Sequence, residues 1–189
     1  MDSVRVDRLE AEFDVAVEWV PYELHPEIPP QGIEREAVLP AAYRERVEAG
    51  MRQMAESAGL RMAAHDRLIN SRPALQAAEF ARSAGRYDAM HRALFRAYWD
   101  RGLDISTMPV LRAVALEAGV DALGMEAAIS EDRYGDYLDA RRQEAEDLMI
   151  TGIPAHVIAD RYLVMGAQPY DVFERVMDRL EVAKKGSSA

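Results

Sequence analysis

Thr151-Gly152-Ile153-Pro154-Ala155-His156-Val157-Ile158, followed by Asp160-Arg161-Tyr162-Leu163-Val164 and then Gly166-Ala167-Gln168-Pro169, is the stretch on which the reading of this chain turns. Two short apolar segments flank a polar turn, the pattern of a hairpin. A Gly-x-x-Pro then opens a segment of helical spacing, Pro169 to Val182. The other strand signal lies far upstream, at Val15 to Tyr22. There Val15, Val17 and Trp19 alternate with Ala16, Glu18 and Val20, the period of a half-buried strand. Ahead of it, Val4 to Phe13 has helical spacing, with Val6, Leu9 and Phe13 on one face and Arg5, Arg8 and Glu12 opposite.

Between these ends the chain reads as helix. His25 to Gly32 is a proline-rich loop. From about Pro40 to Met149 the helical pattern comes in pieces. Tyr43 to Ala58 stops at Gly59. A helix capped by Asn70 or Ser71, with Pro73 in its first turn, stops at Gly85. Tyr87 to Trp99 places Met90, Leu94, Phe95 and Tyr98 on one side, and Met108 to Ala118 stops at Gly119. Asp121 to Ser130 and Asp132 to Met149 complete the series. The order is helix, strand, long helical block, two short strands, helix.

Composition narrows the function classes. With 49% apolar and 30% charged residues, 189 residues build a globular core. A net charge of −10 argues against nucleic acid or an anionic membrane as partner. No apolar run approaches the roughly 20 residues of a membrane span, and Met1 to Asp7 lacks a signal-peptide core, so the expected compartment is the cytoplasm. There is no cysteine, hence no thiolate metal site, disulfide or thiol nucleophile in these residues. His25, His65, His91 and His156 share no metal spacing, and no phosphate loop or serine-hydrolase motif occurs, so neither metal nor cofactor is expected. The acid-rich run from Glu126 to Asp147 reads as a solvated helix face.

The Gly152-to-Pro169 segment, together with Glu18-Trp19-Val20-Pro21-Tyr22-Glu23-Leu24-His25-Pro26 and its continuation to Pro30, resembles the DsbA-like branch of thioredoxin-fold oxidoreductases, particularly the FrnE-like proteins. The likeness extends over roughly residues 3–182. It implies an α/β fold: a thioredoxin-like, DsbA-type sheet with a large all-helical insertion, its first strand missing. Residues 1–36 and 151–183 would form the thioredoxin-like part, 37–150 the insertion, and 184–189 a flexible tail. The resemblance further implies a cis Ile153–Pro154 bond, with the backbone of Ile153 pairing to a substrate chain. Gly152, Ile153 and Pro154 would then be the substrate loop, His156 would line its edge, and Asn70 would face it from an insertion helix. For His156 and Asn70 a strand-edge side chain and a helix cap are the plainer readings.

The family exchanges disulfides through a Cys-x-x-Cys, so the resemblance implies a peptide or protein thiol or disulfide as partner but assigns no catalytic residue here. The related 2-hydroxychromene-2-carboxylate isomerases and kappa-class glutathione transferases use a serine at the first cysteine position and bind glutathione; Ser3 lies several residues too far along the helix for that role. A non-catalytic peptide-binding module is the third reading. Relatives place Cys-Pro-x-Cys just before a segment like Ser3 to Leu9, so both the dithiol and the central strand are expected upstream of Met1, with a naturally shortened, cysteine-free protein as the alternative. Without that strand, Val15–Tyr22 and Ala155–Ile158 would carry open edges. The expected consequences are low stability, association into a homo-oligomer, or direct pairing of those two segments.

Overall fold

In the computed structural model, residues 2–38, 40–57 and 59–186 are described. In chain order the elements are α1 (Asp2–Glu12), β1 (Ile33–Glu34), α2 (Arg35–Val38), α3 (Ala41–Ser57), β2 (Arg67–Leu68), α4 (Arg72–Ser83) and α5 (Tyr87–Phe95). A π-helical turn, Arg96–Asp100, continues α5, and then come α6 (Met108–Glu117), α7 (Ala122–Ser130), α8 (Gly135–Asp147), β3 (Ala155–Ile158), β4 (Tyr162–Met165) and α9 (Tyr170–Arg179). The chain divides into two units, Met1–Val20 with Ala145–Ala189, and Pro21–Glu144.

The first unit is built on the hairpin. β3 and β4 pair antiparallel, His156 opposite Val164 and Val157 opposite Leu163. Ala159 and Asp160 both have positive φ, and the Arg161 N–H donates to the Ile158 carbonyl at 3.1 Å. That is the primed turn whose twist matches a hairpin. Strand alternation sends Ile158, Tyr162 and Val164 to one face, where they meet Leu9, Phe13, Phe173, Val176 and Met177. Phe173, Val176 and Met177 recur at helical spacing on α9, and Val6 and Leu9 do so on α1. Lys184 and Lys185, placed by the sequence in a loose tail, instead meet the end of α1: Lys184 bridges Phe13, and the Lys185 N–H donates to the Glu12 carbonyl at 2.8 Å. Ser187 to Ala189 lie outside the described residues.

Val15 to Tyr22 corrects the sequence reading. The segment keeps an alternating exposure but forms no strand, and the hairpin stays two-stranded among the described residues. A strand is defined by its ladder, and among the described residues no neighbour supplies one. Direct pairing with Ala155–Ile158 does not occur.

The second unit is helical. α4, α5, α6 and α7 bury a core rich in alanine, including Ala74, Ala77, Ala81, Ala93, Ala97 and Ala115, around Met90, Leu111, Val114 and Met125. Small side chains let helices approach closely, and at Gly124 an added Cβ would stand 3.0 Å from the Phe80 ring. Gly85 and Gly119 take φ of +66° and +68°, the left-handed stops expected of them. At the start of α4, Asn70 rather than Ser71 engages the helix: its Oδ1 accepts from the Arg72 N–H at 2.9 Å while its Nδ2 donates to the Ile28 carbonyl at 2.6 Å. The β1–β2 pair, two residues a side, closes the proline-rich loop and has no sequence signal of its own.

Arg72 anchors this unit. Its Nη1 donates to Glu23 at 2.9 Å and to Asp139 at 2.8 Å, and its Nε lies 3.7 Å from Asp132. Glu23 is 4% exposed and has Arg72 as its ion-pair partner, whereas Asp139 is largely in water. The hydrogen bond to Asp139 and then that to Glu23 hold the guanidinium firmly protonated. Arg72→Ala is expected to destabilise the protein by about 3–5 kcal/mol in urea unfolding, because it strands the Glu23 carboxylate. Adding Glu23→Gln should recover a large part of that loss.

Acid should weaken the same unit. Burial pushes the His65 and His91 imidazoles below their ordinary value of 6.5, Arg35 adding to the effect at His65 and Arg92 at His91. Between the lowered folded values and 6.5 the unfolded chain binds more protons, so this stability is present above 6.5 and lost as pH falls through the folded values. His91 packs between Tyr87 and Phe95, with ring centroids at 5.6 and 4.5 Å. His91→Phe should keep that packing and flatten the acid limb of a stability–pH curve.

Candidate functional site

Gly152, Ile153, Pro154 and His156 sit together at the start of β3, in the first unit. Gly152 to Pro154 form a bend, and the Ile153–Pro154 peptide is cis. The Pro154 carbonyl accepts from the Gly166 N–H at 2.8 Å, fixing the loop against the end of β4. Ile153 is 55% exposed despite its apolar side chain. β3 has β4 on one edge and no strand on the other among the described residues, so the loop leads into an open strand edge. The outward-facing cross-strand pair, Val157 and Leu163, is also exposed.

His156 turns the other way. Its Nε2 stands 2.8 Å from Oδ2 of Asp2, with side-chain exposures of 17% and 14%. The contact is an electrostatic one: neither Asp2 oxygen is aligned as a hydrogen-bond acceptor, and His156 Nδ1 is buried with no partner among the described residues. Phe173 of α9 meets the imidazole edge-on, centroids 4.9 Å apart at 83°. Arg5 Nη1 lies 3.9 Å from Asp2 Oδ1. Sequence reasoning singled out His156 and missed Asp2. The one available signal was an acid in the first helical turn, where the helix dipole favours negative charge.

Asn70 belongs to the second unit and is used there, between Ile28 and Arg72. That unit also holds a cavity of about 30 Å³ lined by Arg35, Met51, Met62, His65 and Trp99. Arg35 Nε and His65 Nε2 are buried without partners among the described residues. A volume of that order has room for water. His65 stacks on Tyr98 of the π-helical turn at 3.8 Å. Among the described residues no three histidine, aspartate or glutamate side chains converge as metal ligands. No described helix is long and apolar enough to cross a membrane.

Residues 3–178 match the family of the DSBA-like thioredoxin domain, and the chain belongs to that family. An uncharacterized protein of Bacillus subtilis (strain 168), YwbO, is 26% identical over 169 residues, covering 87% of this chain and 82% of that protein. Among solved structures, the probable DsbA oxidoreductase from Streptomyces coelicolor superposes with a TM-score of 0.85 at 25% identity, over 100% of this chain and 85% of that one. A 2-hydroxychromene-2-carboxylate isomerase superposes with a TM-score of 0.76 at 17% identity, over 95% of this chain and 88% of that one, which shows shared fold alone. The hairpin, α9 and the helical unit are therefore parts of a thioredoxin-like DsbA fold, and these residues contain no cysteine.

Phe173 supports both the core and the His156 ring. Phe173→Ala is expected to cost about 3–5 kcal/mol in chemical unfolding. It should also broaden the His156 ring resonances, since the edge-on wall that fixes the imidazole is removed.

Proposed function

We propose that this chain is a substrate-binding member of the DsbA family, and that its Gly152-Ile153-Pro154 loop receives an extended thiol- or disulfide-bearing peptide, or glutathione. The observation that carries the reading is the union of an exposed Ile153, a cis Pro154 and an unpaired β3 edge at one place. An extended segment can add to such an edge through main-chain hydrogen bonds, with little demand on its side chains. His156 borders this loop as part of the same site.

Disulfide exchange needs an attacking thiolate, and none can form from the side chains of these 189 residues. The proposed activity of the chain itself is therefore binding, with redox chemistry dependent on thiols brought by another molecule. A glutathione-dependent isomerase or transferase is the rival reading, and the acid–base pair of Asp2 and His156 is the observation in its favour.

The test is binding of a short extended cysteine-containing peptide, followed by titration calorimetry. Methylating the peptide N–H that faces Ile153 should weaken binding by about tenfold, since each lost backbone bond is worth about 0.5–1.5 kcal/mol. Ile153→Ala should change affinity far less, because the contact uses the main chain. Equal binding of the methylated and unmethylated peptides would overturn the proposal.

A further inference from the structure

We propose that the open side of β3 selects an extended protein segment with apolar side chains at alternate positions, and that it rejects glutathione. The proposal rests on the binding reading above and names the substrate class of that same site.

The hydrogen-bond phase of the hairpin decides which main-chain groups are free. Opposed residues in an antiparallel ladder alternate between pairs that exchange hydrogen bonds and pairs that do not. In the register of β3 and β4, Pro154 falls opposite Gly166, and the Gly166 N–H donates to the Pro154 carbonyl at 2.8 Å. Position 154 is therefore bonded to its neighbour strand, and so are His156 and Ile158 further along. Ala155 and Val157 fall between them. Their N–H and C=O groups turn to the other edge, where no strand lies among the described residues. A segment leaving the Gly152–Pro154 loop along β3 would bond to these two residues.

The same pleat sorts the side chains. His156 meets Phe173, and Ile158, Tyr162 and Val164 join the core beneath the hairpin. Ala155 and Val157, with Met165 and Leu163 opposite them, make up the outward face. Val157 and Leu163 are 46% and 42% exposed. Neither strand contains an aspartate, glutamate, lysine or arginine, in a chain of which those types form 30%. Exposed edge strands ordinarily carry such charges, which discourage pairing; without them this edge is receptive to another chain.

An added strand alternates its side chains with the same period. Those opposite Ala155 and Val157 rest on the outward apolar face as cross-strand neighbours, where apolar and β-branched residues pack and a charge finds no counter-charge. Main-chain bonds supply the affinity and this face supplies the preference. Reach argues against glutathione. Ile153 to Val157 spans about 13 Å of extended backbone. Glutathione is a tripeptide whose first link runs through a side-chain carboxyl, so it cannot carry a regular ladder over that distance. Its carboxylates would also lie against an uncharged surface.

Titration calorimetry on the full chain tests this with two short peptides of one composition. Each is a cysteine followed by valines and serines in equal number, alternating in one peptide and in two blocks in the other. The alternating peptide should bind about fivefold more tightly. Val157→Thr exchanges a methyl for a hydroxyl at an exposed site, and should bring that ratio below about twofold. Glutathione at about a hundredfold excess should not displace the alternating peptide. Equal affinities, or a ratio unchanged in Val157→Thr, would overturn the selection by the outward face and leave the loop reading standing. Displacement by glutathione would overturn its rejection. If neither peptide binds, the loop reading fails and this inference with it. A free protein that sizes as a dimer, undisturbed by either peptide, would assign the edge to a second copy and overturn the proposal.

Discussion

Burial of Phe13 and Phe173 beneath the β3–β4 hairpin is the constraint on which the candidate site depends. Both rings are almost wholly excluded from solvent, and they belong to segments at the two ends of the sequence. Their shared core with Leu9, Val164, Val176 and Met177 brings α1 and α9 onto the same face of the hairpin. Once α1 is there, its first turn lies beside β3, and Asp2 meets His156. The other face of the hairpin and the Gly152–Pro154 bend remain open. A single packing solution therefore produces a buried polar contact on one side of β3 and an accessible loop and edge on the other.

The helical unit is held by a different balance. Its alanine-rich core permits close helix approach but provides modest apolar area per residue, which gives polar tethers such as Arg72 a larger share of the work. Arg72 joins the segment carrying Glu23 to α8 through Asp139, and Asn70 joins the start of α4 to Ile28. The Asn70-Ser71-Arg72-Pro73 stretch has a structural role that is evident within its own unit.

Much of this was legible in the sequence where local signals are strong. Period-two alternation and a polar turn located β3 with its ends and β4 to within a residue, and glycine stops bounded α4 and α6 closely. Other features needed the fold. α8 begins at Gly135 rather than Asp132 because Asp132 takes a left-handed conformation that breaks the helix. The helix from Tyr87 changes to a π turn after Phe95, a shift of hydrogen-bond partner that apolar periodicity does not encode. Val15 to Tyr22 carries the side-chain pattern of a strand without the ladder, because pattern is local and pairing is not. His156 was visible as a candidate by its distance from Pro154. Asp2 was invisible, since nothing in a helical first turn reports what lies across from it.

The central claim is that the Gly152–Pro154 loop and the open edge of β3 form the substrate-binding surface. Amide chemical-shift mapping of the labelled protein with an extended cysteine-containing peptide tests it most directly. The account predicts the largest changes from Gly152 to Val157, excluding the proline, with smaller ones at Asp2 to Arg5. Changes confined to the helical unit, or none at saturating peptide, would contradict it.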